Sequence, residues 1–207
     1  MSRTVIIAAM EREVQPLVHG WRRSSISDGA RRCAMFEAGE WAVVISGIGG
    51  GHAEAAARAA IAQYNPTQLI SAGLAGALIR SLKAGSVFMP NVVVDAADGS
   101  EYRCTTEGGG VVGGGVLVSA GEIAGMEAKQ KLVERFHGLV VDMEAASVAK
   151  VAKEAGLAFR CVKAISDEAD FVMPPRPQIW PAAASQNQLR QRSLSRNEMQ
   201  APLPLPL

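Results

Sequence analysis

A chain of 207 residues that is 48% hydrophobic can bury one sizeable core and is too short for two ordinary domains. Its formal charge of +1 is made of interspersed signs and its aromatics amount to 5%, so there is no basic footprint for nucleic acid, no membrane-binding face and no stacking platform for single strands. Cys33, Cys104 and Cys161, like His19, His52 and His137, are scattered without metal-ligand spacing, which reads as reduced thiols in a cytoplasmic protein. No apolar run reaches the length of a membrane span, and the N-terminus enters a strand directly, so no signal peptide is expected.

In chain order, Thr4 to Ala9 reads as a buried first strand, and Met10 to Val14 turns into a short helix with Val14, Leu17 and Val18 available for packing. Glu11 and Glu13 both stand just past that strand, and spacing alone does not choose between them. Trp21 to Ser27 is polar and basic and reads as a surface loop. Arg31 to Glu37 and Trp41 to Ile48 read as paired strands around a turn at Ala38-Gly39-Glu40. Ser46 to Gly51 is a glycine-rich turn leading into an alanine-rich helix from about His52 to Tyr64. Its spacing is not that of a dinucleotide fingerprint. Gln68 to Ala72 is a further buried strand, followed by a small-residue loop, Gly73 to Leu78, whose size suits close approach of a ligand. Val87 to Asp95 is a strand broken at Met89-Pro90-Asn91. Ala96 to Gly115 is a long glycine-rich excursion, with no Lys-Ser/Thr after its glycine triplets to cradle phosphate. Val116 to Ser119 is a short strand, and Glu127 to Phe136 is a helix with Met126, Leu132 and Val133 as a modest apolar face.

The stretch from Leu139 to Phe171 is the most informative. Leu139-Val140-Val141 ends a strand, Asp142 is placed to cap a helix beginning at Met143, and Gly156 stops it. Ala145, Val148, Ala149, Ala152 and Ala155 share one face of that helix, and Ala158 to Ile165 is the next strand. A strand, helix and strand of this size are expected to join two parallel strands. Ligands of open α/β sheets gather at the carboxyl ends of strands, where Asp142/Glu144 and Asp167/Asp170 fall. Carboxylates in one crevice can divide acid and base work if their surroundings separate their pKa values, although a cap or a first-turn acid needs no such role.

The strings VVDMEAASVAKVA and VKAISDEAD, in that order and at that separation, resemble the signature of the purine nucleoside phosphorylase and nucleosidase superfamily, above all its 5′-methylthioadenosine/S-adenosylhomocysteine nucleosidases and their phosphorylase-like bacterial relatives. The resemblance implies a single α/β domain over residues 1–174, with a twisted, mixed central sheet flanked by helices. It implies an N-ribosyl hydrolase that cleaves a purine nucleoside with water and needs no metal and no cofactor, with Asp167 protonating the leaving base and Glu13 activating the water. Glu13 is assigned because AAMEREV resembles the family's AMEEEV-like opening. Glu144 and Met143 would meet the ribose, with Ser166, Ala75, Gly76 and Ile123 lining the substrate. SGIG likewise resembles a family segment near the sugar.

Two departures bear on the reaction. Leu74 stands where relatives often carry a serine that helps to hold phosphate, and no arginine matches the phosphorylase anion clamp, so water is favoured over phosphate. The segment around Glu122-Ile123-Ala124 has no aromatic ring for the purine. A phosphorylase and a weakly active nucleoside-binding protein remain the rival readings. The implied partners are a small nucleoside and further copies of the chain, as a homodimer or higher oligomer. Residues 175–207 are proline-rich, then polar, and resemble nothing in the family's C-terminal helix; they are expected to be a poorly ordered or divergent tail.

Overall fold

Strands that are apolar on both faces belong in the middle of a sheet covered on both sides, and the first strand shows why. In β1 (Thr4–Ala8), Val5 and Ile7 face one buried cluster while Ile6 and Ala8 face another. The computed structural model describes residues 3–105 and 114–171, so the glycines at 108–110 and 113 and the tail from residue 175 lie outside the described residues. In chain order β1 is followed by α1 (Glu11–Val18), β2 (Arg22–Ser27), β3 (Arg32–Ala38), β4 (Trp41–Ile45), α2 (Gly50–Tyr64), β5 (Gln68–Ala77), β6 (Val87–Phe88), β7 (Val92–Asp95), β8 (Glu101–Arg103), β9 (Val116–Ser119), α3 (Met126–Phe136), β10 (Gly138–Asp142), α4 (Ala145–Glu154) and β11 (Ala158–Asp167).

The strands form one mixed sheet in the order β2-β3-β4-β1-β5-β10-β9-β7-β8, with β11 against β5 and β6. β1 runs parallel to β4 and to β5, and β11 runs parallel to β5 from Ala158 opposite Gln68 to Ile165 opposite Ala75. On one face α2 and α4 pack through Ala53, Ala56, Ala57 and Ala60 and through Ala145, Val148, Ala149 and Ala152, side chains small enough to let helices approach closely. On the other, α1 supplies Val14 and Val18 to Ile6, Val43 and Ile70, while Leu17 is exposed.

Several expectations change. Residues 22–27 form an edge strand rather than a loop; β3 supplies the ladder partners, and only Ile26 is buried. The small residues 73–77 continue β5 rather than leaving it as a loop, because β11 and β10 provide partners for them. Most consequential, β10 and β11 are not a parallel pair. β10 lies antiparallel to the end of β5, with Val141 opposite Gly76, whereas β11 lies parallel to β5. The long β5 changes neighbours along its length, so the helix between β10 and β11 joins strands of opposite direction. α4 begins at Ala145, two residues later than Asp142 suggested, and Ala155 is exposed. The excursion after Asp95 carries one short strand, β8, paired with β7.

Candidate active site

α1 starts two residues beyond β1, and its first turn decides which glutamate points inward. Glu11 is exposed and pairs with Arg23 at 3.0 Å. Glu13 folds back: its Oε2 accepts the Met10 amide at 3.1 Å, and the same oxygen lies 2.8 Å from where a Cβ at Gly73 of β5 would stand. Gly73 has φ +151, a backbone that side chains rarely adopt, so the strand leaves a notch that the carboxylate occupies.

The second acid is held by the turn after β4 and by a network that spans several strands. Ser46 and Gly47 extend β4 by pairing with Ala8 and Ala9, which brings the glycine turn to the carboxyl end of β1. The Gly49 amide donates to Glu144 Oε1 at 2.7 Å. Glu144 is the N-terminal cap position of α4, and the residues around it are fixed by a buried network. Asp142 Oδ2 accepts the Ala145 amide at 2.9 Å and the Lys163 ammonium at 2.9 Å, while Ser119 Oγ donates to Asp142 Oδ1 at 2.5 Å. Ser119 Oγ in turn accepts the Ala146 amide at 2.9 Å, and Lys163 also donates to Ser71 Oγ at 3.0 Å. Asp142 is thus not the N-cap residue, but its carboxylate accepts the first amide of α4 and also neutralises a buried lysine. Burial works against the charge on Lys163, yet Asp142 outweighs it and holds the ammonium above the ordinary lysine range. Burial, reinforced by the Asp142 charge, raises the Glu144 carboxyl above its ordinary range; the Gly49 amide and Lys163 pull it part of the way back.

The third acid ends β11. Asp167 is opposite Gly76, where its Oδ2 lies 2.9 Å from the position of an added Cβ. The Ser166 hydroxyl stands 2.7 Å from Asp167 Oδ1 and 3.2 Å from the Ala75 carbonyl, and can donate to one of them at a time. Lys129 of α3 donates to Asp167 Oδ2 at 2.6 Å and to the Glu168 carbonyl at 3.0 Å.

Asp167, Ser166, Ala75 and Gly76 therefore form one cluster, and Glu13 meets the same strand three residues earlier. Met143 and Glu144 stand on the turn after β10, whose Val141 is paired with Gly76. Ile123 is exposed in the segment before α3. Asp170 is exposed beyond the cluster. Arg31 hydrogen-bonds the Ser46 carbonyl, so an arginine does reach the glycine turn; its Nε is engaged by Asp28 at 2.9 Å. Sequence reasoning missed Lys163 and Lys129. Lys163 carried a usable signal, because a lysine inside the apolar run of a central strand must find an acid; Lys129 carried none within a polar helix.

A family model described as the phosphorylase superfamily matches residues 3–114 and 102–194. No curated protein matches the chain in sequence. Among solved structures, the 5′-methylthioadenosine/S-adenosylhomocysteine nucleosidase of Helicobacter pylori with butyl-thio-DADMe-Immucillin-A is similar at 24% identity and a TM-score of 0.71, over 82% of this chain and 87% of that one. The futalosine hydrolase of the same organism has the same identity and TM-score over 82% and 86%. The 5′-methylthioadenosine/S-adenosylhomocysteine nucleosidase of Neisseria meningitidis with methylthio-immucillin-A is 22% identical with a TM-score of 0.71, over 82% and 88%.

Proposed function

The chain belongs to the phosphorylase superfamily, and from that premise we propose that it is an N-ribosyl hydrolase acting on a purine nucleoside of the methylthioadenosine or adenosylhomocysteine type. One observation carries the reading: two carboxylates press onto Gly73 and Gly76 of a single strand, Glu13 at 2.8 Å and Asp167 at 2.9 Å from the absent Cβ atoms. Those α-carbons are about 10 Å apart at the rise of an extended strand.

Hydrolysis needs a base for water, anchors for a sugar gaining positive charge, and a proton for the departing purine. Glu13 takes the water proton and Glu144 binds ribose hydroxyls and faces the oxocarbenium charge, with Met143 as an apolar surface beside the sugar. The C1′–N9 bond breaks with its electrons going to the purine, whose N7 is protonated at Asp167. Ser166, Ala75 and Gly76 shape the acid's surroundings, and Ile123 offers an aliphatic contact to the base. Leu74, exposed on β5, gives no hydroxyl for phosphate. Phosphorolysis has one observation in its favour, Arg31 at the glycine turn, but that guanidinium is held by Asp28 and the Ser46 carbonyl.

We read the enzyme as cytoplasmic and as a homo-oligomer, with residues 175–207 a tail of divergent sequence. The free cysteines, and the lack among described residues of a helix long and apolar enough to cross a membrane, are compatible with that placement. The test is a panel of methylthioadenosine, adenosylhomocysteine, futalosine, adenosine and inosine, with and without phosphate, followed by chromatography. Free base and free sugar without phosphate are expected. A strict phosphate requirement, with sugar 1-phosphate as product, would replace hydrolysis by phosphorolysis.

A further inference from the structure

α3 buries one residue, and that residue is a lysine. Met126, Glu127, Ala128, Gln130 and Lys131 around it are exposed, whereas Lys129 is 5% exposed. A buried ammonium is costly unless it is paired, and this one is aimed at Asp167, the group proposed to protonate the leaving base. The pairing raises a chemical difficulty. Asp167 Oδ2 accepts from the Lys129 ammonium at 2.6 Å, and Ser166 Oγ stands 2.7 Å from its other oxygen, the arrangement of an ion-paired carboxylate. A carboxylate has no proton to give. The ammonium has three, and among the described residues only the Asp167 oxygen and the Glu168 carbonyl accept from it.

We propose that Lys129 supplies the proton that Asp167 delivers to the leaving purine, so that the acid of the reaction is the Lys129–Asp167 pair. The proposal rests on the nucleosidase reading. As the nucleoside enters and water leaves, the proton moves from Lys129 Nζ to Asp167 Oδ2, giving an amine and a carboxylic acid, the neutral pair that a dry site favours. The C1′–N9 bond then breaks, its electron pair passes to the purine, and N7 takes the carboxyl proton. Water bonds to C1′ and gives its proton to Glu13. Lys129 recovers a proton from outside: its side chain lines a cleft of about 410 Å³, together with Leu78, Arg80, Met126, Glu134 and Asp170. Glu13, Glu144 and Asp167 do not line that cleft. Lys129 is a positioning and proton-supplying residue, acting through Asp167 rather than on the substrate.

The experiment compares the full-length wild type with Lys129→Met and Lys129→Arg on two substrates, the best purine nucleoside of the panel and 4-nitrophenyl riboside, whose phenolate needs no proton to leave. The turnover ratio of purine riboside to aryl riboside is expected to fall by about 100-fold or more in both variants, the usual scale of one acid–base contribution. Arginine preserves the ion pair but cannot give up its proton, so it separates supply from structure even where the methionine variant folds poorly. An unchanged ratio in Lys129→Arg, or loss of both activities together with rescue by arginine, would make Lys129 a structural ion-pair partner and overturn the proposal. A wild type that releases no base from any nucleoside refutes the nucleosidase reading itself, and with it this role.

Discussion

Lys163→Met is the sharpest perturbation of the frame beneath the site. The ammonium is 2% exposed and its partner Asp142 is fully buried at 2.9 Å, so the substitution leaves a carboxylate in the interior without its cation. Breaking such a pair from one side costs on the order of 3–5 kcal/mol. Asp142 would keep the Ser119 hydroxyl and the Ala145 amide, which places the expectation at the lower end, about 3 kcal/mol. Adding Asp142→Asn removes the stranded charge, and the double variant should recover more than about 1 kcal/mol of that loss, a coupling within the usual range for contacting residues. Urea unfolding at pH 7 followed by far-UV circular dichroism, with a common slope for all variants, reads these numbers. A cost below about 1 kcal/mol for Lys163→Met, or losses that simply add in the double variant, would show that the pair does not hold this region together. A second readout joins the frame to the chemistry. Without Lys163 the Glu144 carboxyl rises further, so turnover of the variant should be depressed at neutral pH and recover partly on the alkaline side.

Glu144→Gln tests the buried acid by linkage. Because burial and Asp142 raise the folded carboxyl above its unfolded value, the folded state binds more protons between the two, and stability falls as pH rises through that window, from about 4.3 upward. The glutamine variant lacks that loss, so its stability relative to wild type should climb over the same window and then level off; parallel stability curves in urea titrations from acid to neutral pH would contradict the raised carboxyl. Gly73→Ala puts a Cβ 2.8 Å from Glu13 Oε2 on a backbone of φ +151, so the carboxylate must move. It should lower turnover by about 100-fold, as Glu13→Gln should, and the two losses should not add. Additive losses would mean that the notch serves something other than Glu13.

What was legible in the sequence was what local pattern encodes. β1, β4 and the first half of β5 are continuous apolar runs and could be nothing but central strands. β2 was not legible because Arg-Arg-Ser-Ser-Ile-Ser has no apolar face of its own and is a strand only because β3 pairs with it. The end of β5 was hidden by its composition, since Gly-Leu-Ala-Gly-Ala reads as a loop until neighbours supply the ladder. The direction of β10 relative to β11 was beyond reach, because it depends on where along β5 each one docks. In the site, acids announced themselves by standing at strand ends. Glu13 and Glu11 could be separated only by the resemblance, and the first turn of α1 supplies the geometric difference between them.

The cations were the blind spot, and they change how the acids should be understood. Each carboxylate is kept from being an ordinary surface group in its own way: Glu13 by a glycine notch and the Met10 amide, Glu144 by burial against Gly49, Asp167 by Lys129. The task of protonating a leaving base suits a carboxyl raised by burial, and the group whose carboxyl burial raises is Glu144, on the turn after β10. Asp167 is 18% exposed at its side chain and paired with Lys129 at 2.6 Å. On the proposed reading the proton comes from a neighbour, and the cation in contact is Lys129, the one buried residue of α3.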